Sequence, residues 1–252
     1  MTRPRVLLVE DDTSIARFVQ MALEEMPIEL VTCANVPDAM QALKAGGAQL
    51  IITDLMLPGE SGIDLVQRLL NEPAPGAKVP VVVFSAGLTP AVREQLGALK
   101  VWRLLSKPAS VLELEACVRD ALHIDQHLAP SVATAESNGQ DVLRSTSDKA
   151  EKADEAEAIA THFAGDTFLF KAYRASCVQQ FPADVKLGDT ACAAQDWSAL
   201  RRLAHSLATV LLTLGHPAES VRANQLENAA AHLMAAQCVE HWLLLRAFLM
   251  RP

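Results

Sequence analysis

Residues 50–62 read LIITDLMLPGESG: an apolar, β-branched run that ends on the carboxylate of Asp54 and then breaks at Pro58-Gly59. A short run without polar alternation is the pattern of a strand buried on both faces of a parallel sheet. Asp54 therefore stands at the lip of a buried strand. Working outward, RVLLV (5–9), IELVT (28–32), QLIIT (49–53), VPVVVF (79–84) and VWRLL (101–105) repeat the strand pattern. Longer amphipathic stretches separate them: TSIARFVQMALEE, with Ile15, Val19, Ala22 and Leu23 on one face, then VPDAMQALKAG, SGIDLVQRLLN, TPAVREQLGAL and SVLELEACVRDAL. The last opens on Ser110 and Glu113, the spacing of a capping box. Strands alternating with helices give an α/β domain over residues 1–125, its five strands parallel because each helix returns the chain to the same edge.

The text changes over residues 126–152, which are polar and rich in Ser, Thr, Ala and acids with no sustained period. A flexible linker is expected there, with a span of about 25–30 Å if it behaves as a coil. Such a tether lets two domains meet without fixing their orientation. Residues 153–252 carry only helical patterns, over 153–163, 167–194 with a bend near Pro182, 198–214, 217–235 and 237–250. Short connections such as AQDWS and LGHP favour antiparallel neighbours, so a second, all-α domain, a four-helix bundle with an extra N-terminal helix, is expected.

Composition narrows the functions. Half of the 252 residues are hydrophobic, enough for one large core or two of ordinary size. The formal net charge of -8 argues against nucleic acid and anionic membrane as partners. No apolar run is long enough to cross a bilayer, and nothing resembles a signal peptide, so no membrane insertion and a cytoplasmic location are expected. The five cysteines, Cys33, Cys117, Cys177, Cys192 and Cys238, are scattered singly and are expected to be reduced. No pattern of an output enzyme is present.

In an open parallel sheet the ligand crevice lies at the carboxyl ends of the strands, where strand order reverses. Four polar features fall at such ends: Glu10-Asp11-Asp12, Asp54, Ser85 and Ser106-Lys107-Pro108. With strand order 2-1-3-4-5, Glu10, Asp11 and Asp54 share one pocket, and three carboxylates so close call for a compensating cation. Mg²⁺ suits the site, because it is held by few carboxylates and keeps positions for phosphate oxygens. A carboxylate beside a divalent ion, a hydroxyl (Ser85) and an ammonium (Lys107) is equipped to attack phosphorus, with Asp54 becoming an aspartyl phosphate. Singly, each of these residues has a plainer reading; Asp12, for example, suits a helix N-cap.

VLLVEDD, LIITDLMLPGESG, VVVFSA and LSKP, in this order and spacing, resemble the receiver domain of two-component response regulators over roughly residues 4–125. The resemblance implies a doubly wound, flavodoxin-like sheet with Asp54 as phosphoacceptor. It also implies Asp11 as a direct metal ligand, Glu10 as one acting through water, and the backbone carbonyl of Met56 as a third contact. Lys107 would precede a proline that receivers often hold in cis. Receivers usually place an aromatic switch residue three positions before that lysine, where this chain has Leu104; Trp102, on the same strand face by period, is the candidate substitute.

In SALRRLAHSLATVLLTLG (198–215), Leu200, Leu203, Leu207, Leu211 and Leu214 form one stripe, and His205 falls roughly 150° from its centre. His205 is therefore expected on the solvent side, beside Arg201, Arg202, Thr209 and Leu212, with Leu212 suggesting that another protein covers this face. The remaining histidines read as structural or surface residues. Residues 153–252 resemble a histidine-containing phosphotransfer (HPt) domain, carried by the stretch from FPADVKLGD to LLTLG, by NQLENAA, and by Gly215 ten residues beyond the histidine. The resemblance makes His205 a phosphoacceptor. It departs from the family at Ala208, where lysine is common, and at Thr209, where glycine is common and a larger side chain would crowd an incoming receiver.

The resulting expectation is a phosphorelay protein. Asp54 takes phosphoryl from a sensor histidine kinase, and His205 exchanges it with a receiver, its own or that of another response regulator. The alternative is a receiver-controlled docking module whose helical domain binds a kinase or regulator without carrying phosphate.

Overall fold

The computed structural model describes residues 3–71, 79–124 and 146–251. The first half alternates β1 (Arg5–Val9), α1 (Thr13–Ala22), β2 (Glu29–Cys33), α2 (Val36–Gly46), β3 (Leu50–Thr53), α3 (Gly62–Asn71), β4 (Val81–Ser85), α4 (Pro90–Ala98), β5 (Arg103–Ser106) and α5 (Val111–Leu122). The five strands are parallel in the order 2-1-3-4-5, so the order reverses between β1 and β3. Alternate side chains along each strand serve opposite layers. Val6, Leu8, Leu50, Ile52 and Phe84 pack with α1 and α5, while Leu7, Val9 and Ile51 pack with Val36, Ala39, Leu65 and Val66 of α2 and α3. Asp12 caps α1 by accepting from the Ile15 amide at 2.9 Å, and Ser110 with Glu113 forms the expected capping box on α5.

The second half is helical throughout its described residues: α6 (Thr146–His162), α7 (Thr167–Ala194), α8 (Trp197–Thr213), α9 (Pro217–Ala231) and α10 (Ala235–Leu249). Helix α8 packs on α9, α9 on α10, α10 on α7 and α7 on α8. Helix α7 runs continuously through Pro182. Gly215 turns the chain from α8 into α9 at φ +81°, where the α6 backbone at Asp154 and Glu155 comes close enough that a β-carbon would collide. That leaves room only for glycine.

Two expectations change. Residues 146–152, expected as the end of the linker, belong to α6; their Lys, Ala and Glu favour helix but carry no apolar period to announce it. Residues 126–145 of the expected linker lie outside the described residues. Nor are the two halves left without a fixed orientation. Phe18 of α1 stands edge-on to Phe163 at 5.5 Å and to Tyr173 of α7 at 5.3 Å, and Phe163 meets Phe170 at 5.3 Å. One apolar cluster runs from the sheet through α1 into the helical half. Helix α1 is thus apolar on two sides: Val19 and Ala22 serve the sheet, and Phe18 serves the helices.

Candidate active site

Of the polar residues expected at the strand ends, Ser85 closes β4, while Glu10, Asp54 and Lys107 are each the first residue beyond a strand, held there by one more rung of the parallel ladder. The Glu10 amide donates to the Cys33 carbonyl at 2.9 Å, the Asp54 amide to Val9 at 3.0 Å, and the Lys107 amide to Ser85 at 3.2 Å. Backbone pairing therefore delivers the three side chains to one point. The Lys107 ammonium donates to Glu10 Oε2 at 2.6 Å and to Asp54 Oδ2 at 2.8 Å, and its side chain is wholly buried. The Leu55 amide donates to Asp54 Oδ1 at 2.5 Å. The peptide bond Lys107-Pro108 is cis.

The charges in this pocket do not balance. Burial opposes ionisation of Asp54, but Lys107 outweighs it and holds the carboxyl below its ordinary range, with smaller help from His205 and the Ser85 hydroxyl. Burial, reinforced by Asp54, pushes Glu10 up to about 8 despite Lys107. Burial and the Asp54 charge raise Asp11 to about 6. The two carboxylates in turn raise Lys107 above its usual value, against burial. One ammonium cannot offset three carboxylates, and the surplus falls on Glu10 and Asp11. Oxygen atoms of Glu10, Asp11 and Asp54 all lie within 4.8 Å of one another. These are hard oxygen donors carrying uncompensated charge, and they fit a divalent ion such as Mg²⁺.

The other expected receiver residues are placed as follows. Ser85 is fully buried, its hydroxyl accepting from the Gly87 amide at 3.4 Å. Met56 is half-buried in the loop that leaves Asp54 and turns at Gly59. Asp12 caps α1 and is raised by burial, with the Ser206 hydroxyl of α8 among the groups drawing it back. Leu104 is half-buried against Leu55, Val83 and Leu96. Trp102 stands just before β5, its amide still paired with the Val81 carbonyl of β4 at 2.9 Å, and its indole is 41% exposed with the Arg103 guanidinium over it at 4.5 Å.

His205 is the main correction. It is 3% exposed, not on a solvent face. Its Nδ1 lies 3.1 Å from Glu227 Oε2 of α9, and its Nε2 is buried without a hydrogen-bond partner. The point where a β-carbon would stand on Gly87 is 4.0 Å from His205 Cε1 and 3.9 Å from Ser85 Oγ, so imidazole and hydroxyl gather around one glycine of the receiver pocket. The helical wheel located the leucine stripe correctly, but α8 is buried on two sides. The face taken for solvent is covered by the first half of the same chain. Leu212, at 36% exposure, marks its edge. Arg201 is exposed and reaches Glu227 Oε1 at 3.9 Å, while Arg202 bonds Ser198 at 3.1 Å. Ala208 is buried, its carbonyl accepting from Ser220 at 2.7 Å, and Thr209 is 6% exposed.

Glu227, Ser206 and Gly87 escaped the sequence reading. A signal for Glu227 existed: it lies twelve residues after Gly215 and His205 ten before it, a spacing that pairs them across an antiparallel α8–α9 hairpin. A carboxylate on Nδ1 makes that nitrogen the donor and leaves the lone pair on Nε2.

A five-stranded parallel sheet in the order 2-1-3-4-5, with acids at its reversal and a buried lysine joining them, defines a receiver domain. Residues 6–119 match the family of the response regulator receiver domain, and the first half of this chain is such a domain. The chain is 30% identical over 124 residues to the uncharacterized transcriptional regulatory protein YkoG of Bacillus subtilis, covering 48% of this chain and 52% of that protein. It is 31% identical over 219 residues to the sensory/regulatory protein RpfC of Xanthomonas campestris pv. campestris, covering 83% of this chain and 28% of that protein. At 83% of the chain, the second match extends beyond the receiver into the helical half. The chain thus spans about half the length of the first relative and about a quarter of the second. Among solved structures, a signal receiver domain from Vibrio parahaemolyticus is 30% identical, with a TM-score of 0.46, over 48% of this chain and 91% of that one. Among the described residues, no helix is long and apolar enough to cross a membrane.

Proposed function

We propose that the chain is a cytoplasmic phosphorelay protein whose receiver accepts phosphoryl on Asp54 from a sensor histidine kinase and whose helical half is an HPt-type four-helix bundle exchanging phosphoryl at His205. Phosphoryl transfer is its only chemistry. The observation that carries the reading is the buried Lys107 shared by Glu10 and Asp54 beside an acid trio short of positive charge. Bound Mg²⁺ would neutralise phosphoryl oxygens as charge redistributes. Asp54 presents the nucleophilic oxygen, Lys107 a fixed positive charge and Ser85 a hydroxyl donor. At the second site Glu227 holds the Nδ1 proton, which leaves Nε2 able to attack phosphorus. The match to RpfC across 83% of the chain supports treating the two halves as one unit.

The alternative, a helical half that docks without carrying phosphate, is favoured by Ala208 and Thr209 and by the burial of His205. Incubation of the full chain with Mg²⁺ and acetyl phosphate, followed by mass spectrometry of wild type, Asp54→Ala and His205→Ala, separates the two. The phosphorelay reading predicts label at Asp54 and at His205 in wild type. Label confined to Asp54 selects the docking reading, and an unlabelled Asp54 contradicts both.

A further inference from the structure

We propose that the helical half is the receiver's own phosphotransfer partner, docked in cis. Helix α8 seats His205 at the Asp54 pocket of the same chain, and the joint formed by α1, α7 and α8 makes any outside phosphotransfer protein, a kinase included, compete with it for that pocket. The inference rests on the phosphorelay reading and adds the identity of the partner.

The joint has the character of a built interface. Phe18 packs against Phe163 and Tyr173, which also meet each other at 5.7 Å, and aromatic pairs in edge-on geometry contribute about 0.5–1.5 kcal/mol each beyond their area. Next to it, Ile15, Phe84 and Ala109 of the receiver line a small cavity with Tyr173, Thr209 and Thr213. Here the departure from the HPt pattern acquires a physical sense. A side chain at Thr209 would crowd a foreign receiver, but in this chain it is enclosed by its own. The Thr213 hydroxyl is turned back onto the Thr209 carbonyl at 2.9 Å, which leaves that residue's methyl group free for the apolar wall.

Beyond the joint, α8 approaches the rim of the receiver pocket at two points. The Ser206 hydroxyl bears on Asp12, and the His205 ring edge lies against Gly87 beside Ser85. The Nε2 atom is buried with no partner of its own, and Cε1, the ring carbon bonded to it, is the atom that lies against Gly87. The transfer balances without another reactant. The Nε2 lone pair attacks phosphorus, the Nε2–P bond forms as the P–Oδ bond of aspartyl phosphate breaks, and the Asp54 carboxylate leaves with the electron pair. The Nδ1 proton stays on the ring, where Glu227 faces the positive charge that the imidazole acquires. The reverse transfer uses the same atoms. Because docking is intramolecular, an outside protein competes against an effective concentration in about the millimolar range.

The test uses full-length chains. Wild type is loaded with acetyl phosphate and Mg²⁺, the donor is removed, and conversion of alkali-labile aspartyl phosphate into alkali-stable phosphohistidine is timed. The rate constant is expected to stay unchanged over about a hundredfold dilution, and an equimolar mixture of Asp54→Ala and His205→Gln chains to transfer at least about tenfold more slowly than wild type. Thr209→Arg, which wedges the joint apart, is expected to take label at Asp54 yet transfer in a concentration-dependent way. A wild-type rate proportional to protein concentration, with mixed chains matching wild type, overturns cis docking and leaves the phosphorelay reading standing. Label at Asp54 that never reaches His205 at any concentration brings down the phosphorelay reading and this inference with it.

Discussion

Asp54 and His205 lie in the same region of the molecule but owe their positions to different physics. The receiver pocket is assembled by backbone pairing: Glu10, Asp54 and Lys107 each follow a strand directly, and the ladder that orders the strands also converges the side chains. His205 sits mid-helix, and nothing in the hydrogen bonding of α8 aims it. Its environment comes from packing, with Glu227 on one side and the receiver loop at Gly87 on the other. A site made by register is specified locally and survives loss of its neighbour. A site made by packing depends on what covers it.

The difference can be broken or sharpened by experiment, and the largest effect is expected at Asp54. With acetyl phosphate as donor, Asp54→Ala should lower labelling at both Asp54 and His205 by more than about a hundredfold under the proposal that the histidine is filled through the aspartate. Equal His205 labelling in this variant would make the two sites independent. Next is Lys107→Met. Removing the shared cation leaves Glu10 and Asp54 facing each other in a buried pocket, and loss of one partner of a buried pair costs about 3–5 kcal/mol. Chemical denaturation without Mg²⁺ should show that loss, and Mg²⁺ should recover part of it.

Glu227→Ala comes third. It should slow labelling of His205 about tenfold, corresponding to roughly 1.4 kcal/mol, while Asp54 labels normally. Glu227→Gln, which can still accept from Nδ1–H, should restore most of the rate. An unchanged rate in Glu227→Ala would mean that the ring is oriented by the joint alone. The smallest effect is the pH dependence of Mg²⁺ stabilisation. Glu10 and Asp11 hold protons more tightly in the folded chain than in the unfolded one, up to about 8 and about 6. Without a cation, folded stability therefore falls as pH rises from the ordinary carboxylate range through those values. A divalent ion replaces the protons, so the increase in Tm on adding Mg²⁺ should be small near pH 5 and grow by a few degrees toward pH 8.5. A larger increase at pH 5 would contradict the charge account.

What the sequence disclosed follows the same division. LIITDLMLPGESG and its sister strands announced the sheet because burial on both faces writes itself as an uninterrupted apolar run. The acids were legible because they end those runs. The helices of the second half were legible where they carry a leucine stripe, as in α8. Residues 146–152 were not, because a helix polar all round has no period to read. The environment of His205 was misjudged for a related reason: a wheel reports which face is apolar, and the covered face of α8 is made of His205, Ala208 and Thr209. Phe18 hinted at a second buried side of α1, but one aromatic residue outside a stripe is an ordinary surface occurrence.

The claim most exposed to test is that the acid trio and the imidazole share one site. Substoichiometric Mn²⁺ added to the full chain, with histidine ring signals followed by NMR, measures that proximity directly. Strong paramagnetic broadening of the His205 ring, with the His241 ring on α10 left sharp, is the predicted result. A His205 signal that stays as sharp as that of His241 while Mn²⁺ occupies the receiver pocket would contradict it.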